Sequence, residues 1–276
     1  MHRYGSDIKL IVSDIDGTIL TSENVLNPLT EEAIRTTIND KQCDFTLSTG
    51  RAFPLTLPMA AYFKLKIPFI YSSGAIYDAR DDRVISAPSI KPIQIEKAVR
   101  IAEKFGVGMI THTKTGMFCQ VSDKDWETIS SMEWMRGEKV DHARRVEDIK
   151  TDTSGETIRL DIFAEVDWLR AVWQEINESI PDVHAVKMKR SIEISHDGVH
   201  KGTALITMSQ LLGIPMKNIM AVGDSLNDIP LLHAAGYGVA MGTAPDALKE
   251  AANAVVPSAD ENGLVKALEM ICKKIR

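Results

Sequence analysis

Apolar runs that close on short polar turns alternate along this chain with segments whose apolar residues recur every three or four positions. Leu10-Ile11-Val12 reads as a buried strand. The segment Thr30–Asn39 reads as an amphipathic helix: Ala33, Ile34, Thr37 and Ile38 share one face, and Thr30 is the candidate cap. Cys43–Leu47 and Pro68–Tyr71 repeat the strand pattern and end at Ser48-Thr49-Gly50-Arg51 and Ser72-Ser73-Gly74. Strands that are apolar throughout, alternating with helices, predict a parallel sheet covered on both faces.

The middle of the chain has another texture. A helix near Ile95–Phe105 stops at Gly106, and Val107–Ile110 and Met117–Val121 follow as strands. Ile158, Leu160, Ile162 and Ala164 alternate with Arg159, Asp161 and Phe163, the pattern of a sheet with one face more buried than the other. A helix around Trp168–Ile176 precedes the strands Val183–Val186 and Ser191–Ser195. All four tryptophans (Trp126, Trp134, Trp168, Trp173) fall in this block and are expected in its core or at an interface.

After residue 198 the first texture returns. Ala204, Leu205, Met208, Leu211 and Leu212 form a helix face that ends at Gly213, with Pro215 beyond. Ile219–Val222 leads into Gly223-Asp224, and Gly238–Met241 and Ala254–Val256 are further strands. The predicted fold class is α/β: a Rossmann-like parallel-sheet core, residues 1–86 and 192–276, interrupted by an inserted α+β domain, residues 87–191.

Composition narrows the function classes. The 276 residues are 44% hydrophobic and 25% charged, which is a globular composition, not a disordered one. Net charge is −6, and the short cluster Lys187, Lys189, Arg190 reads as a solvated face, so no nucleic-acid partner is expected. No stretch approaches the roughly 20 apolar residues of a membrane span, and Met1–Asp7 carries no apolar signal segment. Cys43, Cys119 and Cys272 have no metal-like spacing and read as reduced thiols, consistent with a cytoplasmic location.

Chemistry is concentrated at the strand ends. Asp14 and Asp16 place two carboxylates just after Leu10–Val12; taken alone they are also an ordinary strand-ending turn. A parallel sheet brings its carboxyl ends to one edge, so Asp14/Asp16, Thr49-Gly50, Gly223-Asp224 and Asn227-Asp228 converge there, with Lys201 at a helix start. Paired carboxylates suit a hard cation such as Mg²⁺, a hydroxyl with backbone amides suits phosphate oxygens, and a lysine supplies a point charge for a transferring phosphoryl group.

Asp14-Ile15-Asp16-Gly17-Thr18, Thr49-Gly50-Arg51, Lys201-Gly202 and Gly223-Asp224-Ser225-Leu226-Asn227-Asp228 resemble the four ordered motifs of the haloacid dehalogenase (HAD) superfamily. Ala240-Met241-Gly242-Thr243-Ala244 and Asp260-Glu261-Asn262-Gly263 are similar to the Cof-type phosphatases within it, which carry an α/β cap between the second and third motifs. The chain departs from many such relatives at Ser73 and Thr243.

The resemblance implies Asp14 as nucleophile and Asp16 as acid and base, with surroundings that raise the Asp16 pKa relative to Asp14. It implies a hydrogen bond from Thr18 that steadies the loop. Thr49, Gly50, Lys201 and Asn227 would contact phosphate or substrate, and Asp14, the Asp16 carbonyl, Asp224 and Asp228 would bind Mg²⁺. The implied activity is a Mg²⁺-dependent phosphatase for small phosphorylated metabolites, such as sugar phosphates or phosphorylated cofactors. A phosphosugar mutase and a non-enzymatic phosphometabolite sensor are the alternatives. His196 and His200 fall near the junction of the two domains, and Met109, Met117 and Met132 are expected in the cap core.

Overall fold

A computed structural model describes residues 7–39, 43–114, 116–139, 141, 143–149, 156–164, 166–188 and 190–271. Cys272, Lys189 and residues 1–6 lie outside the described residues. The chain enters through β1 (Leu10–Ser13), α1 (Pro28–Asn39), β2 (Asp44–Leu47) and α2 (Phe53–Phe63). A three-stranded antiparallel sheet follows, β3 (Phe69–Tyr71), β4 (Ala75–Asp78) and β5 (Arg83–Ser86). Next come α3 (Pro92–Phe105), β6 (Gly108–His112), β7 (Met117–Gln120), α4 (Asp123–Ser130), and the hairpin β8 (Glu133–Met135) and β9 (Glu138–Lys139). The middle closes with β10 (Arg144–Arg145), β11 (Arg159–Phe163), α5 (Val166–Ser179), β12 (Val183–Lys187) and β13 (Ser191–His196). The last part is α6 (Lys201–Leu212), β14 (Ile219–Gly223), α7 (Ile229–Ala234), β15 (Tyr237–Met241), α8 (Asp246–Ala251), β16 (Ala254–Val256) and α9 (Gly263–Glu269).

The first sheet has the order β16-β15-β14-β1-β2 and is parallel throughout. Its strands are apolar on both sides because both sides are covered. Ile11, Phe45, Leu47, Met220 and Val222 face a cluster shared with Ala33, Ile34, Met59 and Leu268. Leu10, Val12, Ile219 and Ala221 face one shared with Leu205, Met208, Leu231 and Leu248. The chain runs from β1 to β2 on one side and returns through β14 on the other, so the strand order reverses beside β1. Ligands of open α/β sheets bind at the carboxyl ends next to such a reversal.

The inserted sheet has the order β10-β7-β6-β11-β13-β12, and its pairings around β11 are antiparallel. Leu160, Ile162, Ile192 and Ile194 pack with Ile95, Ala98, Val99, Val172 and Ile176 of α3 and α5. The other face turns toward the carboxyl edge of the first sheet. The expectation of a less buried face on β11 is therefore corrected: Arg159 and Asp161 are both only 5% exposed, because the first sheet's loops cover them.

Three further expectations change. β3 joins the parallel sheet only through a bridge between Ser48 and Ile70, and pairs instead with β4. The cause is a tight turn: Ser72 and Ser73 both have positive φ (46° and 60°), and the Gly74 amide donates to the Tyr71 carbonyl at 3.1 Å. That is a type I′ hairpin turn made with serines instead of the usual Asn-Gly. Thr30 lies inside α1, and Asn27 does the capping, its Oδ1 accepting the Leu29 amide at 3.0 Å. A boundary after residue 191 would cut the antiparallel sheet, since β13 pairs with both β11 and β12 up to His196.

Met109 and Met117 are buried as expected, whereas Met132 is 47% exposed. Among the tryptophans, Trp134 is buried in the core cluster of the parallel-sheet domain, and Trp168 is 55% exposed. Cys43 and Cys119 are buried. Among the described residues no helix is long and apolar enough to cross a membrane.

Candidate active site

Asp14 is the first residue past β1. Its amide donates to the Val222 carbonyl at 2.9 Å, which fixes the backbone at the seam between β1 and β14. Its buried carboxylate accepts from Lys201 Nζ at 2.7 Å, and the same ammonium donates to Asp228 Oδ1 at 2.5 Å. Lys201 opens α6 and is 1% exposed. Burial disfavours its charge, but the two carboxylates more than offset that and hold its pKa above the ordinary lysine value.

The other Asp228 oxygen accepts from the Asp224 amide, the Ser225 amide and the Ser225 hydroxyl, each at 3.1 Å. Asp228 thus ties the Asp224–Ser225 turn to Lys201, and its oxygens are well supplied with donors. Asp224 has fewer partners. Burial, reinforced by the neighbouring Asp228 charge, pushes its pKa up to about 7. Asp14 is also raised well above the usual carboxylate range, by burial first and then by the Asp228, Asp224 and Asp16 charges acting against Lys201. Oxygens of Asp14, Asp224 and Asp228 lie within 4.8 Å of one another. One ammonium cannot neutralise that set, and a hard divalent cation fits both its charge deficit and its all-oxygen donors. Gly17, with φ +74°, lets the turn after Asp16 lie against Asp224: a side-chain carbon there would collide with the Asp224 carboxylate.

Asp16 departs from expectation. Its side chain is 59% exposed and is clasped by Arg51, Nε to Oδ2 at 2.9 Å and Nη2 to Oδ1 at 2.6 Å. The same guanidinium donates to Asn24 Oδ1 and to the Trp134 carbonyl of the β8–β9 hairpin. The buried carboxylate is Asp14, whereas Asp16 is the exposed one and is paired with an arginine. Thr18 is also corrected: its hydroxyl is buried and finds no hydrogen-bond partner among the described residues, so it does not brace the loop that way.

Thr49 and Gly50 follow β2 across the seam. The Thr49 amide donates to Ile70 and its carbonyl accepts from Ser73, both at 3.0 Å. Thr49 Oγ1 accepts the Arg51 amide at 3.1 Å, which leaves its own proton to donate elsewhere. Asn227 is held by its Oδ1, which accepts from the Ser225 hydroxyl at 2.6 Å. Asp14, Asp16, Thr49, Gly50, Asp224 and Asn227 line one cavity of about 360 Å³. Lys201 lies behind it, on a neighbouring cavity of about 240 Å³ shared with Asn227. All the residues singled out in the four motifs therefore meet at one edge of the sheet, except that the Asp16 side chain is turned aside to Arg51. Thr243 lines neither of these two cavities.

The opposite wall comes from the antiparallel sheet, and sequence reasoning missed its chemistry. Arg159 donates to both Asp161 oxygens at 2.7 Å and to the Gly50 carbonyl at 2.5 Å. His112 Nε2 lies 3.0 Å from Asp161, and its Nδ1 lies 3.1 Å from the Ser72 hydroxyl. Glu193 accepts from Ser73 at 3.2 Å and lies 3.5 Å from Arg159. Burial alone would raise the Asp161 pKa, but the Arg159 guanidinium and His112 outweigh it and hold this carboxyl well below the usual range. His112 is lowered, by burial first and then by Arg159. The available signal was the alternation itself, which sets Arg159 and Asp161 on one face of β11.

A buried carboxylate paired with a lysine, a cation-deficient acidic cluster and a turn that offers a hydroxyl lie together at one edge of the sheet, an arrangement suited to nucleophilic attack on a phosphoester. The chain is 29% identical over 274 residues to 5-amino-6-(5-phospho-D-ribitylamino)uracil phosphatase YcsE of Bacillus subtilis, covering 97% of each chain. It is 26% identical over 262 residues to a phosphoglycolate phosphatase of Methanothrix thermoacetophila, covering 95% of this chain and 96% of that one. Its fold matches the crystal structure of a haloacid dehalogenase-like hydrolase from Bacteroides thetaiotaomicron with a TM-score of 0.82 at 20% identity, over 95% of this chain and 98% of that one. The profile of the haloacid dehalogenase-like hydrolases matches residues 11–268, and the chain belongs to that family.

Proposed function

We propose that this protein is a Mg²⁺-dependent phosphomonoester hydrolase that works through an aspartyl-phosphate on Asp14. The observation that carries the reading is the Lys201 ammonium shared between Asp14 and Asp228, within a carboxylate set it cannot neutralise and beside the Thr49–Gly50 turn. Asp14, the Asp16 carbonyl and Asp224 would hold the metal. Asp228, occupied by Lys201 and three donors, serves it directly or through water. Held there, a metal would supply Lewis-acid stabilisation of the phosphoryl oxygens.

In this reading the Thr49 hydroxyl, the Gly50 amide and Asn227 orient the phosphate, and Lys201 neutralises charge shared between phosphate and nucleophile. An Asp14 oxygen attacks phosphorus as the ester P–O bond breaks. Asp16, once released from Arg51 and protonated from solvent, gives that proton to the departing alkoxide. Asp16 then takes a proton from water, whose oxygen attacks the aspartyl-phosphate, releasing inorganic phosphate and restoring Asp14. We assign residues 88–196 as a cap that walls the cavity, limits bulk water and selects the leaving group.

Two of the relatives are named for a phosphorylated ribitylamino-uracil and for phosphoglycolate. We extend the class of small polar phosphomonoesters, sugar phosphates or phosphorylated cofactors, to this chain, and neither substrate by name. Phosphate release from a panel of such compounds, with Mg²⁺ and then with chelator, tests the reading. Chelator-sensitive turnover supports it. Tight binding of phosphorylated compounds without turnover would favour a sensor, and isomerisation of a sugar phosphate a mutase.

A further inference from the structure

We propose that Arg159, a cap residue, is a positioning residue for the phosphate-binding turn: it holds the Gly50–Arg51 peptide in the plane that aims the Thr49 hydroxyl into the cavity. The proposal rests on the phosphatase reading above. A trans peptide is rigid, so gripping its carbonyl also fixes its N–H. Arg159 Nη1 donates to the Gly50 carbonyl at 2.5 Å and to the Ser73 hydroxyl at 3.2 Å. The N–H end of that same peptide, on Arg51, donates to Thr49 Oγ1 at 3.1 Å. The Thr49 oxygen is thereby used as an acceptor, and its proton is left to point at an anion.

The guanidinium is itself held. Nε and Nη2 make parallel bonds to Asp161, which sets the plane of the fork, and Glu193 lies 3.5 Å from Nη2. Gly50 carries an independent mark of the contact. A side-chain carbon there would lie 3.2 Å from Arg159 Nη1, 3.4 Å from Ser73 Oγ and 3.5 Å from Glu193 Oε1. The bare Cα is thus the seat of this cap cluster. Ser73, where the chain departs from many relatives, is one of the anchors.

If Arg159 acts through the peptide, its loss weakens phosphate handling whatever the leaving group. The experiment compares wild type, Arg159→Met and Arg159→Lys on acetyl phosphate and on a hexose 6-phosphate, with Mg²⁺, and measures inhibition by inorganic phosphate and the melting temperature. Both variants should lose kcat on the two substrates by the same factor, about 10- to 100-fold for Met and less for Lys. The inhibition constant for phosphate should rise in parallel, which a merely structural role in a folded variant would not produce. Lysine retains charge and bulk but cannot hold Asp161 and Gly50 with one planar fork, so it reads the question if the Met variant does not fold. Loss confined to the hexose phosphate would make Arg159 a leaving-group contact and overturn the proposal, as would unchanged kcat and phosphate inhibition. A wild type inactive on every phosphoester would instead sink the phosphatase reading itself.

Discussion

Two buried charge clusters face each other across the cavity, and they treat their carboxylates in opposite ways. On the parallel sheet, Lys201 is shared between Asp14 and Asp228 while Asp224 has, among the described residues, no cation within hydrogen-bonding reach, and Asp14 and Asp224 are pushed up in pKa. On the antiparallel sheet, Asp161 has a guanidinium bonded to both its oxygens and a histidine beside it, and is held down. Asp14 and Asp161 are buried alike, so burial does not make the difference between them. What differs is the balance of charge and donors. A satisfied cluster fixes structure; a cluster short of positive charge is available to a cation and to chemistry.

The most forceful way to break the comparison is to remove one carboxylate from each side. Asp14→Asn should abolish turnover, by at least about a thousandfold in kcat, because Asp14 is the group proposed to accept the phosphoryl transfer. Its melting temperature should hold or rise, since a buried, poorly compensated carboxylate is replaced by a neutral isostere. A large fall in stability with activity retained would reverse the roles assigned to the clusters. Removal of divalent cations by chelator should have the next largest effect, a loss of turnover restored by added Mg²⁺. In calorimetry, saturating Mg²⁺ at about a hundred times its Kd should stabilise the protein by about 2.7 kcal/mol. Asp224→Asn should shrink that gain.

The matching change on the cap side is Asp161→Asn, expected to cost about 3–5 kcal/mol by leaving Arg159 incompletely paired. Its pH dependence carries the sign of a depressed carboxyl. The unfolded chain binds the proton first, near pH 4, so the pair stabilises the fold above that value. The stability gap between wild type and variant should be widest at neutral pH and narrow as pH falls below about 4. A gap that widens in acid would mean the carboxylate is not stabilised by its partners.

These two clusters were not equally legible in the sequence. Asp14, Asp16, Thr49, Gly50, Asp224 and Asp228 stand at or just past strand ends, and the periodicity that reveals the strands also reveals the edge where they meet. Local pattern was enough there. Arg159 and Asp161 obey the same alternation as a solvent-facing strand edge, and what buries them is a second layer, the turns around Gly50 and Ser73. Nothing within a few residues of β11 announces that layer. The hairpin at Ser72-Ser73 was hidden because serine rarely takes consecutive positive-φ positions. Trp134 reads as part of the inserted domain and packs instead in the core of the parallel-sheet domain, 5.8 Å from the Tyr62 ring. The burial of Arg159 and Asp161 and the seat of Trp134 are contacts between the two parts of the fold, which local periodicity does not carry, whereas the hairpin is a local turn made with residues that rarely make it.

The smallest predicted effect sits at the joint between the clusters. His200 caps α6, its Nδ1 accepting the Thr203 amide at 3.2 Å while the Thr203 hydroxyl accepts the His200 amide at 3.1 Å. Only a neutral imidazole has that lone pair, and burial, with the nearby His184, lowers the His200 pKa. The unfolded chain therefore takes up this proton first, near pH 6.5, and the cap's contribution fades as pH falls through that value. At pH above 7, His200→Ala should cost about 1 kcal/mol, and His200→Asn, which caps without titrating, should cost little. Between about pH 7.5 and 5.5 the wild type should lose ground to His200→Asn and approach His200→Ala. Parallel melting curves for wild type and His200→Asn over that range would show that the cap does not titrate. Because Lys201 is the first residue of the capped helix, the same acid step should appear as a modest fall in turnover in the wild type and be absent in His200→Asn.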